Sequence, residues 1–392
     1  MRISLVLAGT VLGLSAVLSA QVPAGYPAGR DSTQDTTKVR AAPAAPAALA
    51  VDFSGIVFAH FQYRGEKGPS QASNRFDVER AYLTFRMPAG ERTSVRITTD
   101  LYQQTTPGSD SYYRGWTVRA KYAYLQYNYL NGRAWRALAR LGLLHTVMIE
   151  HDESFWPRWI SQAATERAGF FSSADAGLAT SLTLPRKRGE LYATITNGPG
   201  YTSRELDRFK DYAARLTLTP WAGDQDGPLR TVALSAWGYK GAIASKFVSG
   251  GSGQVGPVGA SLRRDRWGLH AAAGDPRLTF ALQYGSRMDE GETGLNSAGS
   301  PRNVTDSTGR LISGYAIVRP LSAQSRFGLI GRFDRVITNT FTDARYNLII
   351  AGMTWDFSKR ASLALDYQET TPVEGAPVTP VKAYFAHFVA RF

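Results

Sequence analysis

The chain of 392 residues has no cysteine, which excludes a lipid-modified cysteine anchor, a thiolate metal site and a disulfide scaffold. Histidine is scarce, at five residues. His145 and His151 lie near Asp152 and Glu153, but at a strand end and in a loop that spacing defines no shared face, so no metal site is expected there. No Gly-x-Ser-x-Gly elbow and no phosphate-binding loop occurs, and no catalytic residue or cofactor is expected. After the first twenty residues no apolar run approaches the roughly 18 residues that a membrane helix needs. A membrane β-barrel escapes that test, because only alternate residues of each strand meet lipid.

What is present begins with residues 1–20, MRISLVLAGTVLGLSAVLSA. One basic residue, an apolar run and small residues ending at Ala20 make this a secretory signal peptide. Its removal takes away Arg2 and lowers the formal net charge of +13 by one. Residues 21–50, rich in Ala, Pro, Thr and Asp, have neither strand nor helix periodicity and read as a flexible periplasmic lead-in. The pI of 9.9 raises the possibility of nucleic-acid binding, but that reading explains neither the export signal nor the aromatic chain end, so no nucleic acid is expected.

From residue 51 onward the periodicity is two. Arg75 to Met87 sends Ala81, Leu83, Phe85 and Met87 one way and Arg80, Tyr82, Thr84 and Arg86 the other. A tight turn, Pro88 to Glu91, leads to a segment in which Val95, Ile97, Thr99 and Leu101 oppose Arg96, Thr98, Asp100 and Tyr102. The same pattern places further strands near 53–63, 116–129, 134–145, 175–184, 189–197, 209–219, 229–240, 255–265, 276–288, 308–319, 325–337, 344–356, 360–370 and 380–392, with GLHAAAGDP interrupting the rhythm after 265. The expected fold is all-β, a transmembrane antiparallel β-barrel of about 16 strands over residues 51–392, with short periplasmic turns and long external loops. A soluble sandwich also alternates, but it does not account for arginines in mid-strand on one parity and aromatics at strand ends on the other: Tyr127, Tyr129, Trp221, Trp355, Phe357, Phe388 and Phe392. The last strand, VKAYFAHFVARF, ends on Phe392 with no polar tail, which suits a lipid-facing position and an assembly signal.

Several stretches together resemble the phosphate-selective porins O and P and their outer-membrane relatives: RFDVERAYLTFRM, SVRITTDLYQ, AKYAYLQYNYL, ALARLGLLHTVMIEHDESFWPRWI and HFVARF. The likeness covers most of residues 51–392 in layout. Its specific part is the Arg80-Ala81-Tyr82 strand, Arg96 and Asp100 in the next, and the terminal aromatic. The resemblance implies a sixteen-stranded barrel, usually a homotrimer, with the third external loop folded into the pore and a basic lining that favours anions. It does not carry over a phosphate site, since this chain has few lysines and uses arginine.

With the aliphatic parity toward lipid, the pore-lining candidates are Arg80, Arg86, Arg96, Asp100, Arg140, Arg215, Arg277 and Arg332, with Arg263, Arg287, Asp334 and Asp366 on the same parity argument. Guanidinium groups in a narrow, partly desolvated channel lower the energy of a passing anion. The competing role for any one of them is neutralising an adjacent acid, as Arg96 with Asp100 or Arg332 with Asp334, or contacting lipopolysaccharide phosphates. Residues 146–174 form the longest loop, with a helix-like stretch at 161–168 and the aromatics Phe155, Trp156, Trp159, Phe170 and Phe171. Folded inward, it would set the aperture with Glu150, Asp152, Glu153, Arg158, Glu166 and Arg167.

The functional expectation is a passive porin of the bacterial outer membrane for small hydrophilic solutes, preferring anions, with phosphate among the candidates. Its partners are outer-membrane lipid and lipopolysaccharide, the barrel assembly machinery and small anionic solutes. The alternatives are a barrel-based enzyme of the phospholipase or protease class and a non-selective or sugar-preferring porin.

Overall fold

A computed structural model describes residues 51–65, 74–103, 115–203, 205, 207–222, 231–244, 261–275, 277–293, 303–373 and 378–392. Residues 1–50, where a signal peptide and a lead-in are expected, and parts of several connections between strands lie outside the described residues. Among the described residues no helix is long and apolar enough to cross a membrane. The chain crosses in strands instead.

Sixteen antiparallel strands close on themselves, each bonded to its sequence neighbours and β1 bonded to β16. They are β1 (Asp52–Tyr63), β2 (Asn74–Pro88), β3 (Thr93–Gln103), β4 (Trp116–Asn131), β5 (Arg136–His145), β6 (Ala174–Thr183), β7 (Gly189–Thr196), β8 (Asp211–Ala222), β9 (Thr231–Ala244), β10 (Ser261–Gly274), β11 (Leu278–Thr293), β12 (Asn303–Val318), β13 (Phe327–Asn339), β14 (Ala344–Asp356), β15 (Ala361–Val373) and β16 (Val381–Arg391). Closure leaves no sheet edge, which is the condition for strands in a medium that offers the backbone no hydrogen bonds.

The burial pattern inverts that of a soluble protein. Leu141, Leu178, Leu234, Leu269, Leu282, Ile312 and Leu365 are exposed on the outer face, while Asp100, Lys121, Asp334 and Asp366 are buried on the inner one. Exposed aromatics gather toward both strand ends: Tyr127, Tyr129, Trp221, Trp355, Phe357 and Phe392 at the short-turn end, and Tyr63, Phe76, Trp116, Tyr212 and Tyr384 at the long-loop end. These are the girdles of a membrane barrel.

The seam is tied by the last residue. Phe392 exchanges backbone hydrogen bonds with Gly55 at 3.0 and 2.9 Å, and its ring lies where a side chain on residue 55 would stand, 2.2 Å from an added Cβ. The absent side chain at Gly55 therefore accommodates Phe392.

One expected strand moves. β10 runs through GLHAAAG to Gly274, fully paired with β9 and β11, so the suspected interruption is strand. Leu269 faces out and His270 and Ala272 face in, so small residues on both faces dilute the alternation without breaking it. Residues 255–260 lie outside the described residues. Two bulges were not legible. Glu79 is an extra residue in β2 between Val78 and Arg80, and Lys121 is an extra residue in β4 between Ala120 and Tyr122.

Candidate functional site

The β5–β6 connection, residues 146–173, folds into the barrel and is held there by packing. It carries two short helices, α1 (Ile149–Glu153) and α2 (Ala164–Arg167), the second covering only part of the expected helical stretch. Val147, Met148, Ile149, Phe170 and Phe171 pack on Tyr122, Tyr124, Tyr192, Trp237 and Leu311. Trp156, Trp159 and Ile160 pack on Phe58, Tyr82, Tyr315 and Ile330. Trp156 is 1% exposed, so the loop aromatics are core residues of the lumen. A loop this apolar has nowhere else to bury its rings, and roughly 1.5–3 kcal/mol for each fully buried large side chain fixes it in place.

Polar contacts from the wall complete the seat. Arg332 Nη1 donates to the Gln162 carbonyl at 2.7 Å, Arg287 Nη1 to Ala168 at 3.0 Å and Gln368 Nε2 to Ile160 at 3.1 Å. Arg266 and Arg215 likewise donate to the Phe170 and Val147 carbonyls. Arg332 also holds Asp334 through its Nε and Nη2, and Arg215 pairs with Glu190. Arg215, Arg287 and Arg332 thus lie on the lumen wall, but beneath the loop. They fasten it and do not line an open pore, contrary to the parity argument, because parity gives the face of a strand and not what covers that face.

Three more expected pore residues are placed elsewhere. Arg277 precedes β11, in a turn where its N–H donates to Asp275 at 2.7 Å, and it is exposed at the short-turn rim. Arg263 lies on the outer face of β10, on the side of Trp267, near Asp265 (3.4 Å) and Glu290 (4.0 Å). Arg86 lies at the short-turn rim, 3.8 Å from Asp52.

The open part of the lumen lies between the loop and β1 to β5. Arg80 Nη1 and Arg119 Nη2 each lie 3.0 Å from Asp100 Oδ2, and the Asp100 side chain is fully buried between them. Arg119 is also flanked by Tyr102 (3.8 Å to the ring centroid) and Tyr201 (4.5 Å). Asp100 therefore pairs with Arg80 and Arg119 and not with Arg96. Arg96 instead reaches Glu150 of the loop at 3.4 Å and lies over Tyr122. Arg140 donates to Gln126 at 3.0 Å and contacts His145 at 2.9 Å. Lys121 lies 4.1 Å above the Tyr82 ring, with no ion pair among the described residues.

The acids of the loop divide. Glu150 is half-exposed to the lumen and lies 2.8 Å from His145. Enclosure by the barrel raises its pKa, but His145, Arg96 and Arg140 outweigh this and hold the carboxyl well below the usual range. Glu153 pairs with Arg158 at 2.6 Å, and Glu166 pairs with Arg158 as well. Asp152 is not at the aperture. It is buried, accepts from Thr165 at 2.7 Å and Gln283 at 3.2 Å, and burial pushes its carboxyl up. Arg167 faces away from the gap, toward Thr370 at 3.2 Å. A cavity of about 290 Å³ remains, with Tyr82, Arg96, Lys121, Glu150, Glu153 and Arg158 around it.

Arg119, Lys121 and Glu79 were not named from sequence because Lys121 and Glu79 occupy bulges and Arg119 lies across the first of these from Tyr122 and Tyr124, on the opposite parity. Arg119 and Tyr124 are five positions apart yet both face the lumen, which an unbroken alternation forbids. That odd spacing between two inward-type residues was the available signal.

No protein-family model matches the chain, and no curated protein does. Solved structures match its fold. An anion-selective porin from Comamonas acidovorans aligns with a TM-score of 0.58 at 12% identity, over 88% of this chain and 100% of that one. OprB of Pseudomonas putida aligns with a TM-score of 0.60 at 8% identity, over 87% and 94%. OmpT of Vibrio cholerae, an outer-membrane protein in a trimer form, aligns with a TM-score of 0.54 at 14% identity, over 88% and 99%. At these identities the likeness is one of fold, and the chain has the sixteen-stranded fold of the outer-membrane porins.

Proposed function

We propose that this chain is a passive diffusion channel of the bacterial outer membrane for small hydrophilic solutes, with a preference for anions. The observation that carries the preference is the charge of the lumen on the short-turn side of the loop. Two cavities of about 650 and 600 Å³ open there. Around the first stand Arg133, Arg136, Arg186 and Lys187, with Glu190 already paired to Arg215. Around the second stand Arg319, Arg326, Lys359 and Arg391, with Asp356 held by Arg319 at 3.0 Å. Arg186 and Lys187 both adopt φ 56°, a left-handed conformation that costs a non-glycine residue of order 1–3 kcal/mol. Two cations held in a turn that favours Asn and Gly fit a lumen selected for charge.

On the long-loop side Arg80, Arg119 and Arg96 continue the basic path, and Glu150 and Glu153 moderate it at the narrow point. Phosphate is one candidate solute, since guanidinium groups offer it paired donors. The comparison with the anion-selective porin and with a trimeric relative supports the anion preference and a homotrimer as parts of the same reading. Lipopolysaccharide and outer-membrane lipid are then the medium around the girdles.

The test is reversal potential in a planar bilayer under a salt gradient. Arg80→Glu/Arg96→Glu should lower the anion-to-cation permeability ratio by about threefold or more at low salt, where screening is weakest. Arg64→Glu, at the long-loop end, should leave it nearly unchanged. A ratio of about one in the unaltered protein removes the anion preference and leaves a non-selective channel, whereas an unaltered ratio in the double variant takes the preference away from Arg80 and Arg96 and leaves it with the short-turn side. Parallel runs with phosphate and chloride decide whether phosphate is favoured.

A further inference from the structure

We propose that His60 and His387 form a binding site for a divalent transition cation of the copper, nickel or zinc kind, on the lumen wall at the β1–β16 seam. The two residues stand directly opposite each other in the register of the seam strands. Their ring centroids are 5.5 Å apart with the planes at 66°. An ion bound to two imidazoles at about 2.0–2.1 Å from each nitrogen lies roughly 3 Å from each ring centre, which allows centroids up to about 6 Å apart. The pair is within that reach.

Hydrogen bonding points the same way. Both ring nitrogens of His60 and Nδ1 of His387 are buried without a hydrogen-bond partner. Each such atom costs about 1–3 kcal/mol, and three on two facing rings is a concentration that packing alone does not explain. Nε2 of His387 lies 3.2 Å from Oδ2 of Asp366, and the two side chains are 3% and 0% exposed. This is an ion-pair distance and not a hydrogen bond, since Oδ2 of Asp366 has no hydrogen-bond partner among the described residues and Nε2 of His387 meets Gln368 Nε2 at 3.5 Å. The carboxylate beside the far nitrogen favours a bound cation through its charge. His387 thus has a buried carboxylate beside one nitrogen while its other nitrogen remains unsatisfied.

The surroundings favour a cation in a lumen otherwise rich in arginine. Asp77 stands opposite His60 in the β1–β2 register, and Asp366 backs His387, while Arg75 is engaged with Asp77 at 3.8 Å. Phe385 stacks on the His387 ring at 4.9 Å and meets His60 at 5.4 Å, so it holds both rings and shields one side. Among the described residues no three His, Asp or Glu side chains converge on a common point. The site therefore offers two imidazoles and leaves the remaining positions to water, and copper should bind more tightly than nickel or zinc.

Copper titration of the folded, full-length barrel in detergent, followed by electron paramagnetic resonance, tests this. One Cu²⁺ per barrel with two equatorial nitrogens is expected. His60→Ala should lose one nitrogen and about tenfold or more in affinity. Asp366→Asn should keep both nitrogens and weaken binding by about 10–100-fold. Heat-modifiable migration checks that each variant is folded. His60→Ala is the decisive variant, because His60 makes no hydrogen bond that folding would miss. Absence of stoichiometric binding below millimolar copper, or a spectrum unaltered by His60→Ala, overturns the site. Neither result bears on the anion preference, which the salt-gradient measurement reads separately.

Discussion

Single residues in this lumen divide by what covers them. Arg332 and Asp334 have side chains 1% and 2% exposed and hold each other at 2.6 Å. Removing one partner leaves a buried charge, so Arg332→Leu should cost about 3–5 kcal/mol, read as a lowered urea midpoint of the folded barrel. Arg332→Leu/Asp334→Leu should recover most of that loss. Equal destabilisation by the single and double variants would show that the Gln162 contact, and not the ion pair, carries the effect. Sequence placed Arg332 beside Asp334 and on the correct face, but not its role. The Gln162 carbonyl it holds is 170 positions away, and nothing local announces it. Arg80, Arg96 and Asp100 were legible because one tight turn fixes their register. Arg119 and Lys121 were not, because a single extra residue puts the lumen-facing side chains before and after it on opposite parities.

At the scale of elements the decisive one is the inward loop. Its length and five aromatics told where it goes, since rings without another hydrophobic refuge must turn into the barrel. Which acids it offers the pore was beyond reach, because α1 turns Asp152 into the wall while Glu150 faces the lumen. The seat of the loop also carries a pH dependence. His151 lies 3.0 Å from Ser235 and 3.2 Å from His270, and burial, with Arg215 and His270 nearby, holds its pKa well below the ordinary value. Below pH ~6.5 a released His151 takes up a proton that the seated one refuses, so the seat is fully stable above ~6.5 and weakens as pH falls toward the lower, seated pKa. Hydrogen exchange across 146–173 should therefore be faster at pH 5 than at pH 7.5. His151→Gln should flatten that difference. Exchange independent of pH in the unaltered protein would mean that packing alone holds the loop.

For the whole molecule, the alternation, the turn lengths and the strand-end aromatics were enough to read sixteen strands and their closure. Assembly beyond one barrel depends on the outer face. Ala59 and Ala81 flatten it on β1 and β2, while the space beside Gly55 is occupied by Phe392. A trimer is the expected product of cross-linking in mild detergent; monomer alone would remove it. Deleting Phe392 or replacing it with Asp should lower the amount of heat-modifiable barrel far more than it alters the conductance of what remains, and normal surface levels would refute this. The contact of Phe392 with Gly55 also sets the order of events in making the barrel. The two residues are more than three hundred positions apart, so theirs is among the most distant pairings in the chain, and such contacts form slowly. Before it forms, both β1 and β16 are open templates with a ladder of unsatisfied amides, able to pair with a second chain as readily as with each other. A barrel lacking its last residue is then a kinetic problem before it is a weak channel: the seam stays open longer, and domain-swapped or aggregated chains compete with closure.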